Sequence, residues 1–287
     1  MFENLFRLDG KVAVVTGAGN GLGRSFSLGL AAFGATVVCA DRNLAGADET
    51  ASLAKQSRGK AEPAHVDVAD EKSVDQLWKE IEATYGRVDI LINNAGESQA
   101  GALEDTPIGA VEDLFRVNVF GPVALTKAVL PGMRERRRGT VVMVGSMLSS
   151  FPVAFRSNYA ATKSALKAYA FATRREVAPY GIRMISVEPG TIATGIGDRR
   201  SIHIGDDSPY RAEYETLAAA TRRNEDAGIS AASMATQIVD AALSEHPKPF
   251  YAKGNQAGVV FLLRRLAPRQ LILDMTARKH GLPKVKI

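Results

Sequence analysis

A tyrosine and a lysine four residues apart are the residues of this chain best suited to chemistry. Tyr159 and Lys163 stand in the first turns of a predicted helix over 157–178, and a spacing of four puts both side chains on one helix face. A cation beside a phenol favours the phenolate, and the partial positive charge at the helix N-terminus acts in the same direction. We therefore expect the pKa of Tyr159 to lie below its usual value of about 10, so that the phenol exchanges protons near neutral pH.

A serine thirteen positions before the tyrosine adds a third polar group. Ser146 follows the apolar, β-branched run over 140–145, which predicts a buried strand that ends at the serine. A Tyr–Lys pair with this spacing also occurs on ordinary solvated helices, so the pair alone is weak evidence for chemistry. Its interpretation depends on the elements that would position the three side chains.

Those elements alternate regularly along the first 190 positions. Short β-branched runs are separated by longer helical stretches, a pattern typical of an α/β fold with a Rossmann-like, doubly wound parallel sheet flanked by helices. Thr106 is a candidate cap for the longest helix, and Pro107 suits its first position. The predicted strands cover residues 11–16, 36–41, 61–66, 88–92, 140–145 and 182–187, and the predicted helices cover residues 21–33, 45–58, 71–85, 107–137 and 157–178.

The pattern weakens after residue 190. A Gly-rich, polar stretch predicts a loop, and two further helices, a last strand and a tail of aliphatic and arginine residues follow. We expect a dinucleotide-binding catalytic domain over 1–252 and a C-terminal helical extension over 253–287 that is not an independent domain. The loop covers residues 191–208, the helices 209–226 and 231–244, the strand 249–252 and the tail 256–287.

Composition excludes several classes of function. The chain has 287 residues, of which 46% are hydrophobic, and its formal net charge of +5 is dispersed, so we expect a buried core and no nucleic-acid partner. The densest basic run, over 134–138, ends a predicted helix and has no interleaved aromatic residues. Cys39 is the sole cysteine, which excludes an intrachain disulfide and a cysteine-based zinc site. We find no ligand cluster for a metal.

Hydropathy indicates a protein without a transmembrane segment. No uninterrupted apolar run approaches about 18 residues, and the amino terminus lacks the long apolar core of a signal peptide. We therefore expect a cytoplasmic protein. The tail's arginines and aliphatic side chains leave a peripheral membrane contact open, but we favour packing against a neighbouring subunit.

A glycine motif lies between the first predicted strand and the first predicted helix. Residues 16–23 read Thr-Gly-Ala-Gly-Asn-Gly-Leu-Gly. Glycines there let the backbone turn sharply and approach a ligand closely, and the N-terminus of the following helix favours a pyrophosphate. A glycine cluster alone is a common turn signal, but this one has the strand–turn–helix setting that dinucleotide binding requires.

An acidic residue at the end of the second strand bears on which dinucleotide is bound. Asp41 can accept hydrogen bonds from a ribose diol and would repel a 2′-phosphate, which favours NAD. Arg42 is the counter-argument, since a guanidinium can pair with that phosphate, so NADP remains possible. Asp67 either bonds an adenine amino group or closes a turn.

Together and in this order, the glycine motif, the Asn-Asn-Ala-Gly run over 93–96, Ser146 and the Tyr-x-x-x-Lys pair resemble the short-chain dehydrogenase/reductase family. The resemblance covers about residues 8–194 and, more loosely, the helices up to 252. It implies an oxidoreductase that acts on CH–OH donors with NAD(P). The positions expected to contact the cofactor are Gly17, Asn20, Gly21, Leu22, Gly23, Asp41, Arg42, Asp67, Val68, Asn94, Ala95, Gly96, Tyr159, Lys163, Pro189, Gly190, Ile192 and Thr194.

The resemblance also implies roles for the candidate catalytic residues. Tyr159 is the expected acid/base, Lys163 contacts the nicotinamide ribose, and Ser146 hydrogen-bonds the substrate oxygen. Asn118 matches a helix asparagine whose local distortion holds a proton-relay water, and Thr194 matches the contact to the nicotinamide carboxamide. Simpler roles stay open: Asn118 facing water, Ser146 bonded to backbone, and Thr194 in a turn.

The segment over 147–156 is largely apolar and indicates a lipophilic alcohol or ketone, such as a steroid-, polyketide- or terpenoid-like compound. We expect substrate contacts from the segments over 97–99, 147–156 and 191–227, and in particular from Ser146, Leu148, Phe155 and Tyr159. The alternative is that these apolar side chains merely pack a lid.

Small residues recur every four positions along the helix that carries the tyrosine, namely Ala160, Ser164, Ala168 and Ala172. Such a stripe permits close helix approach, and the resemblance implies a homodimer or homotetramer, although a buried face would give the same stripe. Two other functions remain open: an NADPH-dependent biosynthetic ketoreductase, and a non-catalytic nucleotide-sensing protein on the same fold.

Overall fold

The strands of the protein are short, and the central ones are buried. The computed structural model describes residues 8–283 except 193, 194 and 196. In chain order the strands are β1 (Val12–Thr16), β2 (Thr36–Asp41), β3 (Lys60–His65), β4 (Ile90–Asn93), β5 (Gln99–Gly101), β6 (Gly139–Val144), β7 (Ile182–Pro189), β8 (Ser201–His203) and β9 (Phe250–Lys253).

Helices alternate with these strands and continue beyond them. Those that precede β7 agree with the predicted bounds within about two residues, apart from the longest one. In chain order the α-helices are α1 (Gly21–Ala32), α2 (Leu44–Gln56), α3 (Glu71–Tyr85), α4 (Ile108–Phe115), α5 (Gly121–Glu135), α6 (Ser157–Val177), α7 (Arg211–Asp226), α8 (Ala231–Leu243), α9 (Ala257–Leu266) and α10 (Arg269–Lys279).

The main sheet is parallel throughout and has the strand order β3-β2-β1-β4-β6-β7-β9. The chain runs from β1 to one edge and then returns, so that β4 pairs with the other side of β1. The direction of winding therefore reverses between β1 and β4, and the crevice outside their carboxyl ends is where doubly wound sheets bind ligands. The predicted fold class is confirmed.

Two apolar layers cover the faces of this sheet. One is centred on Phe26, Leu30 and Ile238, each without exposed surface, and the other on Leu77 and Leu166, each 1% exposed. Full burial of one such side chain stabilises the fold by about 1.5–3 kcal/mol. Both layers are needed because the strands of a parallel sheet carry apolar side chains on both faces.

The long helix predicted over 107–137 is wrong as a single element. It is divided into α4, a π-helical turn (Arg116–Phe120) and α5. Pro122 has no N–H to donate to the carbonyl of residue 118, and the Gly121 N–H bonds the Arg116 carbonyl five residues back. The helix also begins one residue later than predicted, at Ile108. The Thr106 hydroxyl donates to the Ala102 carbonyl (2.8 Å) instead of capping the helix.

The loop predicted over 191–208 contains a short strand. Within it, β8 pairs in parallel with β5, and together they form a separate two-stranded sheet. Each strand has three residues, which is too short for a periodic signal, and the partners lie about a hundred residues apart in the chain. A Cβ on Gly101 would lie 1.8 Å from the His203 carbonyl oxygen, so this pairing requires glycine.

The described residues contain no helix with the length and apolar character needed to cross a membrane. Over the same described ranges, no group of three or more His, Cys, Asp or Glu side chains is arranged to hold a metal ion.

Candidate active site

The turn between β1 and α1 brings backbone against backbone without intervening side chains. Gly17 has a φ of +65°, and a Cβ on it would lie 2.9 Å from the Ala95 Cα. A Cβ on Gly23 would lie 2.0 Å from the Gly17 carbonyl oxygen, and Gly21 also has a positive φ of +53°. These positions therefore require glycine.

The N-terminus of α1 is open to an anion. Asn20 occupies the N-cap position but makes no side-chain cap hydrogen bond in the described structure, and its side-chain oxygen accepts from Arg199 at 3.0 Å. Leu22 packs against the core, which fixes the first turn. An uncapped helix end beside a turn free of side chains fits the pyrophosphate of a dinucleotide.

Asn94 joins the glycine turn to the end of β4. Its side-chain amide donates to the Thr16 carbonyl (2.9 Å) and to the Gly17 carbonyl (3.3 Å). The Ala95 N–H donates to the Thr16 hydroxyl at 3.1 Å. A Cβ on Gly96 would lie 3.0 Å from the Asn118 Oδ1 and 3.2 Å from the Lys163 Nζ. The 93–96 run thus links the glycine turn to two other candidate site residues.

Asp41 lies directly beside the glycine turn. Its Oδ2 accepts from the Gly19 N–H at 2.8 Å, and its Oδ1 accepts from the Asn43 N–H at 2.9 Å. Arg42, whose side chain is 65% exposed, forms an ion pair with Glu97 at 2.6 Å. The carboxylate is therefore fixed in position, and the neighbouring guanidinium already has an acidic partner.

Asp67 and Val68 follow β3 at the same edge of the sheet. The Asp67 Oδ1 accepts from the Ala69 N–H at 2.9 Å, which is a turn contact. Val68 is buried, and a Cβ on Gly121 would lie 2.4 Å from its carbonyl oxygen. In this structure Asp67 therefore closes a turn, which is one of its two predicted roles. Val68 packs against the start of α5.

The tyrosine, lysine and serine are brought together. Tyr159 and Lys163 are 8% and 4% exposed, and the Lys163 Nζ lies 5.8 Å from the centre of the Tyr159 ring. Lys163 also donates to the Val144 carbonyl at 3.2 Å. Ser146 accepts from the Leu148 N–H at 3.2 Å, and its hydroxyl is also hydrogen-bonded to Tyr159.

Asn118 sits in the π-helical turn and is fully buried. Its Oδ1 accepts from the Glu97 N–H at 2.8 Å, and its Nδ2 donates to the Glu97 carbonyl at 3.0 Å. Nδ2 also lies 3.1 Å from the Thr162 hydroxyl. The side chain therefore ties the loop after β4 to α6 and does not face water.

Burial raises the pKa of Tyr159 above its usual value, so the expected lowering is wrong for this structure. In decreasing order, the Arg156 charge, the Ser146 hydrogen bond and the Arg200 charge oppose that rise without cancelling it. Lys163 is itself desolvated, and its pKa is lowered from 10.5 to about 8. Removing both groups from water outweighs the attraction on which the prediction relied.

Two arginines lie next to the tyrosine; both belong to segments predicted to contact substrate, but the sequence prediction gave neither a role of its own. The Arg156 Cζ lies 4.9 Å from the centre of the Tyr159 ring, and its Nη2 donates to the Ser98 hydroxyl at 2.8 Å. Arg200 donates to the same hydroxyl at 3.1 Å and forms an ion pair with Glu225. Arg156 stands three residues before Tyr159, so helical spacing was the available signal.

A second missed group fixes the turn after Ser146. Glu188 is fully buried, and it accepts from the hydroxyls of Ser149 (2.6 Å) and Ser150 (2.7 Å). The Lys167 Nζ lies 2.6 Å from the same carboxylate. This network anchors the 3₁₀ turn over Met147–Ser149 to β7 and α6.

Near the tyrosine lies a cavity of about 250 Å³, and a polar cluster on its wall consists of Ser98, Ser146, Arg156, Tyr159, Arg200 and Glu225. Leu148 lines it as predicted, but Phe155 does not, because its ring packs edge-on against Tyr214 with centroids 5.9 Å apart. The tail was not expected here, yet α9 and α10 supply Val260, Leu263, Ile272, Met275, Thr276 and Lys279 to the wall.

The segment after β7 borders the same cavity through Pro189, Gly190 and Ile192. The Gly190 N–H donates to the Lys253 carbonyl at 2.8 Å, and Ile192 forms a parallel bridge with Ile229. Thr194 lies outside the described residues.

Comparison with known proteins bears on what such a site does. The family model described as short chain dehydrogenase matches residues 11–203. Dehydrogenase/reductase SDR family member 7B of Rattus norvegicus is 36% identical over 281 residues, which span 96% of this chain and 83% of that protein. The uncharacterized oxidoreductase YusZ of Bacillus subtilis (strain 168) is 31% identical over 268 residues, or 90% of this chain and 94% of that protein.

Solved structures agree with these relatives. A short-chain dehydrogenase from Streptomyces avermitilis superposes with a TM-score of 0.78 at 36% identity and covers 89% of this chain and 92% of that chain. A 7α-hydroxysteroid dehydrogenase complexed with NADH and 7-oxo glycochenodeoxycholic acid has a TM-score of 0.76 at 24% identity, with 89% and 98% coverage. The second likeness concerns the fold alone.

Proposed function

We propose that this chain, which belongs to the short-chain dehydrogenase/reductase family and is therefore an oxidoreductase, interconverts a secondary alcohol and a ketone. The observation that carries the proposal is that Ser146 and Tyr159 line one cavity, with the Lys163 ammonium buried 5.8 Å from the centre of the Tyr159 ring. A hydroxyl donor, a phenol and a cation around one small volume are the groups needed to move a proton to or from a substrate oxygen.

The proton chemistry follows from the positions of the two hydroxyl groups. In oxidation the Tyr159 phenolate accepts the proton of the substrate hydroxyl, and in reduction the phenol returns it to the nascent alkoxide. The Ser146 oxygen accepts from the Leu148 N–H, and its proton, which is directed at Tyr159 in this structure, would donate to the oxygen of a bound substrate and stabilise developing charge there. A bound nicotinamide dinucleotide supplies the hydride acceptor or donor.

Lys163 and Asn118 support the phenol in different ways. Lys163 extends from α6 to the end of β6, where its ammonium donates to the Val144 carbonyl. From this position it would contact the nicotinamide ribose and favour the phenolate. The Asn118 side chain is occupied by Glu97 and Thr162, so its proposed part in a water relay falls to its backbone. Pro122 removes the usual α-helical donor to the Asn118 carbonyl, which leaves that oxygen suited to accept from a water.

The dinucleotide contacts proposed from the resemblance are supported by the open N-terminus of α1 and by the glycines at Gly17 and Gly23. NAD is favoured over NADP because Asp41 is fixed beside Gly19, where its charge would repel a 2′-phosphate. The ion pair between Arg42 and Glu97 strengthens this preference, since it engages the guanidinium that would otherwise pair with that phosphate. An NADPH-dependent ketoreductase is the alternative.

The substrate proposed is a lipophilic small molecule. Outside that polar cluster, apolar side chains such as Leu148, Phe151 and Leu263 outnumber polar ones on the cavity wall, which suits a steroid-, polyketide- or terpenoid-like compound better than a sugar. Ser146 and Tyr159 contact its reacting oxygen, and Leu148 contacts its apolar body. Phe155 is withdrawn from the proposed substrate contacts because it packs against Tyr214.

A homodimer or homotetramer is also proposed. Ser164, Ala168 and Ala172 are exposed on α6, together with Tyr169 (44% exposed) and Phe171 (41%). An exposed helix that carries both small and aromatic side chains is suited to pack against a second copy.

The proposed reaction is tested with a panel of secondary alcohols and NAD, and with the matching ketones and NADH. With lipophilic members we expect a steady absorbance change, which Tyr159→Phe should slow by roughly 10²–10⁴. A chain that binds the dinucleotide by calorimetry but transfers no hydride across the panel would favour the nucleotide-sensing alternative.

A further inference from the structure

We propose that Arg156 is a positioning residue for proton transfer, whose buried guanidinium holds a positive charge against the Tyr159 ring and stabilises the phenolate. This inference rests on the proposed function and deepens it. It assigns to Arg156, three positions before the tyrosine, a task that the sequence prediction gave to Lys163 and the helix N-terminus.

The guanidinium is held in place beside the ring. Its Cζ lies 4.9 Å from the ring centre, its Nη2 donates to Ser98 at 2.8 Å, and the side chain is 7% exposed. Its Nε is buried without a hydrogen-bond partner among the described residues. A cation stacked on an aromatic ring in a water-poor site exerts a stronger field than one in solvent.

Four charged groups surround Tyr159, and they differ in whether they have an ionic partner. They are Arg156, Lys163, Arg200 and Glu225. Arg200 is paired with Glu225, so their fields at the phenol oppose each other. Arg156 forms no ion pair with an acidic side chain over the described residues, although Glu225 acts on it at longer range. Burial lowers the pKa of Lys163 to about 8, so that lysine loses its charge in mildly alkaline solution.

Arg156 keeps its charge over a wider range. Burial, aided by Arg200, lowers the pKa of Arg156 from 12.5 to about 10, which is still above the value for Lys163. The neighbouring groups that feel the Arg156 charge from other elements are Tyr214 on α7 and His280 after α10. Between about pH 8 and pH 10, Arg156 is therefore the unpaired cation that still faces the phenol.

An uncompensated buried charge costs stability unless something offsets the loss of water. Here Ser98 supplies one acceptor and the Tyr159 ring supplies a π face, and the phenolate would supply the missing negative charge. Arg156 thus reduces the cost of deprotonating Tyr159, although burial still holds the pKa of the phenol above its usual value.

The test compares Arg156→Gln, Arg156→Lys and the control Arg175→Gln, which removes a charge from the exposed, carboxyl-terminal end of the same helix. The pH dependence of kcat/KM is measured in both reaction directions with a neutral substrate. Oxidation needs the phenolate and rises through its titration, whereas reduction needs the phenol and falls through it. In Arg156→Gln, the rising limb of the oxidation profile and the falling limb of the reduction profile should both move to higher pH.

The shift has opposite consequences for the two directions. We expect the midpoint to rise by about one pH unit in Arg156→Gln. At a fixed pH below the midpoint, oxidation should then fall about tenfold, because each unit changes the phenolate fraction tenfold. In the reduction direction, Arg156→Gln should keep its rate up to a higher pH than the unaltered chain does. Arg156→Lys should restore most of the profile, and Arg175→Gln should match the parent in both limbs.

Other outcomes would overturn the proposal. A uniform loss of rate in both directions with unmoved limbs would show that Arg156 merely supports the fold. A rise in KM confined to substrates with an acidic group, again with unmoved limbs, would show that it binds an anion. If the parent transfers no hydride, the tyrosinate absorbance that Tyr159→Phe removes is titrated in the parent and Arg156→Gln backgrounds, and equal midpoints would refute the inference independently.

Discussion

The Lys163 ammonium lies 5.8 Å from the centre of the Tyr159 ring and is hydrogen-bonded to the Val144 carbonyl at 3.2 Å. The lysine therefore connects the last residue of β6 to the helix that carries the phenol. Because both side chains are buried, each is costly to charge in the absence of a partner. The following predictions depend on this arrangement and on the groups around it.

Replacing Tyr159 by Phe should abolish proton transfer while leaving the pocket filled. The ring and its contact with Arg156 remain, so dinucleotide affinity should change by less than about threefold, whereas kcat should fall by roughly 10²–10⁴. Initial rates and calorimetric titration measure the two effects. A variant that keeps the parental kcat would contradict the acid/base role.

Replacing Lys163 by Met should stabilise the fold at neutral pH although it harms activity. The pKa of Lys163 is about 8 in the folded chain and 10.5 in the reference state, so below pH 8 folding must desolvate a charged ammonium. This penalty is on the order of 3 kcal/mol and is lost as pH rises from about 8 to 10.5, since the unfolded chain alone then binds the proton.

Urea unfolding of the parent and Lys163→Met at pH 7 and pH 9.5 measures that penalty. The difference in unfolding free energy should favour the variant most at pH 7 and shrink at pH 9.5. Any constant loss from the Val144 hydrogen bond adds equally at both values. A difference independent of pH would show that Lys163 does not titrate in this range.

Replacing Asp41 by Ala should reverse the dinucleotide preference. The variant loses the carboxylate that would accept from a ribose diol and repel a 2′-phosphate, so NAD affinity should fall and NADP affinity should rise, each by about tenfold. Fluorescence titration with both dinucleotides measures this. Asp41→Asn, which keeps acceptors for the Gly19 and Asn43 N–H groups, separates loss of charge from loss of the turn.

Replacing Glu188 by Gln should destabilise the chain by roughly 3 kcal/mol, because it leaves the Lys167 ammonium without its buried partner. The double variant with Lys167→Met should recover part of that loss. Glu62→Gln is the matched control, since the Lys55–Glu62 pair is about half exposed on both sides and should matter by less than about 1 kcal/mol. Equal effects of the two single substitutions would contradict the role of burial.

Light scattering should give the mass of a dimer or a tetramer for the parent chain. Ala168→Arg, in the exposed stripe of α6, should shift the mass toward that of a monomer, because an arginine prevents close helix approach. Ala45→Arg, at an exposed position on α2, is the control and should leave the mass unchanged. A monomeric parent would rule out the proposed assembly.

The order of elements and the proximity of Ser146, Tyr159 and Lys163 were available from the sequence. Period-two and period-3.6 patterns are local, so they predicted the strands and helices that precede β7 to within about two residues, except for the three-residue strand β5, which was not predicted, and the longest helix. The glycine turn and the Tyr-x-x-x-Lys spacing are equally local. Their joint order was enough to predict which side chains would meet at the carboxyl edge of the sheet.

The tertiary structure alone decided how those side chains are charged and what surrounds them. The ionisation of Tyr159 and Lys163 depends on burial, which is a property of the whole packed environment. Glu188 reaches Lys167 and α10 reaches the cavity only because distant parts of the chain fold over one another. Sequence spacing specifies neighbours on one helix face, whereas contacts between separate elements and the loss of water around a charge exist only once the chain has folded.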